Sequence, residues 1–176
     1  HDEPTRLSSY EINSVLEYLR HAQVDEEELA SLEWQLLPAL GYDARSPALE
    51  KQLSREPSFF VEVLSLLYKK KNSDEETDTA EHLASNAWRL LSQWRILPGS
   101  EADGGPIDAN ALNDWVDKAR IELANVDRRE IGDVYIGHIL ARSASTEDGT
   151  WPPVAVRDLI ERVASPEIED GLRTQV

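Results

Sequence analysis

The chain has 176 residues, 40% of them hydrophobic and 30% charged, which is enough for one domain with a real core and offers no apolar run approaching a membrane span. It contains no cysteine, so a disulfide framework, thiolate metal sites and thiol catalysis are all excluded. The 34 acidic residues against 18 basic ones give a net charge of −16, a field that opposes nucleic-acid phosphates, reads chiefly as a solvated acidic surface and is compatible with a basic protein partner.

The chain also lacks methionine, and no export signal precedes the first polar residues, so the expectation is a piece of a longer protein in the cytoplasm by default. Ser8 or Ser9 can cap a first helix carrying Tyr10, Ile12, Val15, Leu16 and Leu19. Asp25 with Glu28 three residues on resembles a capping box for a second helix. Leu29, Leu32, Leu36, Leu37 and Leu40 form its stripe, with Trp34 to the side, Pro38 to distort or end it and Gly41 to close it. A short helix follows Ser46-Pro47, with Leu49 and Leu53 facing inward.

The stretch from Pro57 to Tyr68 is the most continuously apolar in the chain, with Phe59, Phe60, Val63, Leu64, Leu67 and Tyr68 at helical spacing. Val61 and Leu66 fill the other sides, so this helix should be buried nearly all round and covered by the rest. It ends at Lys69-Lys-Lys71, favourable charge for a helix C-terminus, before the acidic stretch 74–78.

A long helix is expected from Ala80 to Leu97, with Leu83, Ala84, Ala87, Leu91 and Trp94 on one side, Trp88 and Leu90 flanking, and Pro98-Gly99 as its stop. Residues 98–107 carry the prolines and glycines of a hinge or exposed crossover, the one place where a single domain would divide into two lobes. Asp108 can cap the next helix, in which Leu112, Trp115, Val116, Ala119, Leu123 and Val126 recur at helical intervals. Asp127 and Glu130 open another, to about Arg142, with Ile131, Val134, Tyr135, Ile139 and Leu140. Pro152-Pro153 begin a helix with Val156, Leu159, Ile160 and Val163 inward, and Ser165-Pro166 begin a last one. The expected fold is therefore all-α, about nine helices in an irregular antiparallel array; the tryptophans at 34, 88, 94, 115 and 151 show no regular repeat.

Residues with chemistry are sparse. Of the four histidines, none lies at zinc-ligand spacing from another. His138 falls on an apolar helix face near Asp133 and Glu130, and is the alternative polar site: a small-ligand or hydrolytic centre would be built there. The acids from Asp74 have neither the glycine nor the final glutamate of a calcium loop, and the glycines at 104 and 105 lack the Lys-Ser/Thr of a phosphate loop. No metal, cofactor or catalytic motif is expected. Trp88, Trp94, Trp115 and Trp151 lie on helix faces and are the candidate interaction surface, because tryptophan anchors interfaces; the competing reading is that they fill the core.

Leu32-Glu-Trp-Gln-Leu-Leu-Pro38, Ser58-Phe-Phe-Val-Glu62, Ala87-Trp-Arg-Leu-Leu-Ser-Gln-Trp94, Ile131-Gly-Asp-Val-Tyr-Ile-Gly-His138 and Asp148-Gly-Thr-Trp-Pro-Pro153 together resemble a helical region toward the C-terminus of long, uncharacterised bacterial proteins. The resemblance covers most of the chain and carries over no site residue; it implies that the native chain continues past Val176. The reading of the sequence is a non-catalytic helical interaction or scaffolding module whose partner is another protein or the remainder of its parent.

Overall fold

The computed structural model describes residues 7–41, 44–67, 77–126 and 152–173, with backbone alone at 77–81 and 165–173. Among them are seven α-helices and one 3₁₀ turn: α1 (Ser9–His21), α2 (Glu26–Leu36), the turn Leu37–Ala39, α3 (Pro47–Arg55), α4 (Pro57–Leu66), α5 (Thr77–Gln93), α6 (Ala109–Asn125) and α7 (Val154–Arg173). Two of the nine expected segments merge into α7, and the one expected over 127–142 lies outside the described residues, as does Lys69-Lys-Lys71.

Local chemistry sets the helix ends. Ser8 caps α1 in a complete capping box with Glu11: its hydroxyl accepts the Glu11 N–H at 3.3 Å, and the Glu11 carboxylate accepts the Ser8 N–H at 2.7 Å. Asp25 accepts the Glu27 and Glu28 amides at the start of α2, and Asp108 those of Asn110 and Ala111 at the start of α6. Pro38 turns the end of α2 into the 3₁₀ segment. Arg89 of α5 binds the carbonyls there, donating to Leu37 and Leu40 at 2.9 Å each and to Gly41, of which Leu37 and Gly41 also accept a backbone N–H.

α4 sits at the centre, packing against α3, α5 and α6, while α2 packs on α1 and α3, and α6 on α7. Phe60, Val61, Val63 and Leu64 are buried, and Phe59, Leu66 and Leu67 are partly buried against the core. One hydrophobic cluster runs from Ile12 and Leu16 through α4 to Val163 and Ala164, with members on both sides of residues 98–107. That crossover is a loop with Pro98 buried and residues 101–104 exposed, closed by the Asp108 N–H donating to the Gly99 carbonyl at 2.9 Å. Gly99 has φ 80°, and a Cβ there would meet the Asp108 carbonyl oxygen at 2.7 Å, so the closure requires glycine.

Two of the boundaries that differ from expectation have a visible cause. α5 stops at Gln93, short of Leu97, because Trp94 is drawn into the core: its indole N–H donates to the Ile96 carbonyl at 2.7 Å and the Ser54 hydroxyl at 3.1 Å. α7 continues through Pro166, where a new helix was expected. Proline has no N–H for the carbonyl four residues back, and that carbonyl, on Arg162, instead accepts from Arg120 Nε of α6 at 2.7 Å. Arg162 in turn donates to Asn113 at 2.7 Å, so α6 and α7 are stapled where the helix bond is missing.

Candidate functional site

The tryptophans divide. Trp94 is fully buried and Trp115 nearly so, packed with Phe60 at centroid distances of 5.8 and 5.0 Å and with each other at 6.2 Å. They are therefore core residues and leave the expected interaction surface: three large rings packed together, Phe60 and Trp115 edge to face, remove far more apolar area from water together than apart. Trp88 is half-buried on α5. Trp151, together with the alternative site at His138, Asp133 and Glu130, lies outside the described residues. Among the described residues no group of three or more His, Asp or Glu side chains is arranged to hold a metal ion.

Two carboxylates are fully buried, Glu33 of α2 and Glu50 of α3. Arg20 of α1 donates to Glu33 Oε1 through Nε at 3.1 Å and Nη2 at 3.0 Å, and the same Nη2 reaches the Arg45 carbonyl at 3.2 Å. The other Glu33 oxygen accepts the Leu49 N–H at 3.0 Å. Leu49 is the third residue of α3, so Glu33 caps that helix from α2, in the place where Ser46 would ordinarily serve. Consistent with that displacement, the buried Ser46 hydroxyl has no hydrogen-bond partner. Burial pushes the Glu33 carboxyl above its ordinary range, against the Leu49 amide and the Arg20 guanidinium, which lower it.

Arg45 completes the seam. It grips Glu50 with Nε at 3.0 Å and Nη2 at 2.5 Å, and reaches across to Asp103 of the 98–107 loop at 2.9 Å. Hydrogen bonding to Glu50 raises the Arg45 pKa above its ordinary value. Glu50 also accepts the Arg95 N–H at 3.4 Å. Both oxygens of Glu33 and of Glu50 are engaged, so the network ties α1, α2, α3 and the segment after α5 together.

The feature that stands open is α1. Ile12 and Leu16 are buried, but Leu7 at its start is 59% exposed, Tyr10 79%, Val15 49% and Tyr18 73%. Tyr10, Ser14 and Tyr18 succeed one another at four-residue intervals and form one outward stripe, with Glu17 on one side and Glu11 and Val15 on the other. The Ser14 hydroxyl donates to the Tyr10 carbonyl at 2.9 Å, so the middle of the stripe carries no unmet donor. The sequence pattern assigns Tyr10 and Val15 to this helix without giving either a face. The signal that separates them was present in the spacing: Ile12, Leu16 and Leu19 fall at four and three residues and make one stripe, whereas Tyr10, Ser14 and Tyr18 make another on the opposite side. No helix among the described residues is long and apolar enough to cross a membrane. Comparison of the chain with protein-family models, curated proteins and solved structures finds no match.

Proposed function

We propose that this chain is a non-catalytic helical interaction module, an irregular antiparallel array that scaffolds part of a larger protein and docks a protein partner on the outward face of α1. The observation that carries the reading is the exposure of Tyr10 and Tyr18, 79% and 73%, beside Leu7 and Val15 on a helix whose opposite face is already satisfied by the core. Tyrosine offers a large apolar ring and a polar tip at little rotamer cost, which suits it to interface anchoring. Clustered exposed apolar side chains rimmed by charge mark interaction sites, whereas isolated ones do not.

The test is affinity capture from the source cell's lysate with the wild-type chain and with a Tyr10→Ala/Tyr18→Ala variant. Both side chains are exposed, so the variant should keep its urea midpoint, changing stability by no more than about 0.5 kcal/mol. A partner retained by the wild type and lost by the variant is the expected result. Equal retention by both, or no retained protein, counts against α1 as the working surface.

A further inference from the structure

We propose that the occupant of the α1 face is a basic amphipathic helix, its apolar stripe laid along Tyr10, Ser14 and Tyr18 and its lysines or arginines meeting the acids on either side. This deepens the interaction reading and rests on it. Tyr10 to Tyr18 spans about 12 Å of helix, and the exposed Leu7 lies just before the Ser8 cap, so the face accommodates a partner helix of roughly two to three turns. Ser14 is the small residue between the two tyrosines, leaving a notch into which one larger apolar side chain of the partner can insert.

Charge selects the partner. Glu11 and Glu17 border the stripe, and the chain runs on from α1 into Asp25, Glu26, Glu27 and Glu28, all exposed. Glu17 is paired with Arg20 at 2.7 Å and Glu26 with Lys51 and Arg55, but among the described residues Glu11, Glu27 and Glu28 have no cationic partner. Glu11 bonds only to Ser8, whose backbone and hydroxyl hold its carboxyl below the ordinary range and keep it ionised. A second copy of this chain would bring Glu11 and Glu17 against their own counterparts, in a molecule already at −16. A bilayer surface is met by helices with lysine and arginine on the polar face, and α1 has only Arg20 and His21, both in its last turn. A cationic helix satisfies the apolar stripe and its acidic border at once.

The probe is a fluorescent peptide of about 18 residues with leucines at helical spacing flanked by lysine and arginine, titrated by anisotropy beside a twin whose flanks are glutamate. The basic peptide should bind the wild-type chain, the acidic twin at least about tenfold more weakly, and raising salt from about 50 to about 500 mM should weaken the basic complex about tenfold. The Tyr10→Ala/Tyr18→Ala variant should lose binding about tenfold at an unchanged urea midpoint. Equal binding of both peptides, abolished by the tyrosine substitutions, would overturn the basic partner while leaving α1 as a docking face. Undiminished binding of the basic peptide to the variant would place the attraction elsewhere on the acidic surface and overturn the inference. If neither peptide binds and sedimentation finds a dimer that the variant disrupts, the occupant is a second copy; if neither binds a monomer, the docking face itself fails.

Discussion

Glu33 is the residue on which three segments depend, because one buried carboxylate neutralises Arg20 and caps α3. Its pKa lies above the ordinary 4.5, so the native chain holds that proton more tightly than the unfolded chain does. The linked stability is fully present below about 4.5 and is lost as pH rises through the native value. Glu33→Gln removes that slope, so urea midpoints measured across pH should show wild type losing ground to Glu33→Gln as pH rises through that window. Glu26 acts with the opposite sign: its pKa is lowered chiefly by hydrogen bonds from Arg55 and Lys51, and its contribution is present above 4.5 and lost on acidification. A wild type and variant with parallel pH profiles would show that Glu33 does not titrate differently on folding. The core tryptophans give a second comparison. Trp94 Nε1 donates to Ser54 and Ile96, whereas the buried Trp115 Nε1 has no partner. Trp94→Phe should therefore cost about 1 kcal/mol for the lost indole bond, the Ile96 carbonyl keeping the Ser54 hydroxyl as its donor, and Trp115→Phe distinctly less, because it also removes an unsatisfied donor. Equal losses in urea unfolding would contradict this. The burial of Glu33 was partly legible, since it stands four residues from both Leu29 and Leu37 within their stripe; what the sequence does not carry is that Arg20 and the end of α3 arrive there.

At the scale of elements, caps and periodicity predicted most of what is seen. Ser8, Asp25 and Asp108 start helices, Pro38 ends one, and the inward residues of α3, α4, α6 and α7 are those the spacing selects. The misses come from contacts distant in sequence. α5 ends early because the Trp94 indole finds its acceptors in α3 and at Ile96, and α7 survives Pro166 because Arg120 supplies the donor that proline lacks. This last arrangement is testable as a cycle. Arg120→Ala should cost about 1 kcal/mol in the wild-type background, and less when Pro166→Ala has restored an amide donor to the Arg162 carbonyl. Strict additivity of the two substitutions in thermal or urea unfolding would show that the Arg120 bond is not compensating for the proline.

Across the whole molecule, the described helices share one core centred on α4, braced by the Arg20–Glu33 and Arg45–Glu50 pairs, and the all-α class follows from the sequence pattern alone. The proposed docking face was harder to see, because an exposed tyrosine and a buried one have the same side chain; the spacing of Ile12, Leu16 and Leu19 sets which way α1 turns, and their packing against the core shows it. The central claim is that α1's outward face is where this chain meets its partner. The most direct measurement is photo-crosslinking in the source cell, with a photoreactive residue substituted at Ser14 in the stripe and, as a control, at the exposed Lys118 of α6. Adducts at Ser14 and none at Lys118 are predicted. Adducts at Lys118 alone, or none at Ser14 with a folded chain, would contradict it.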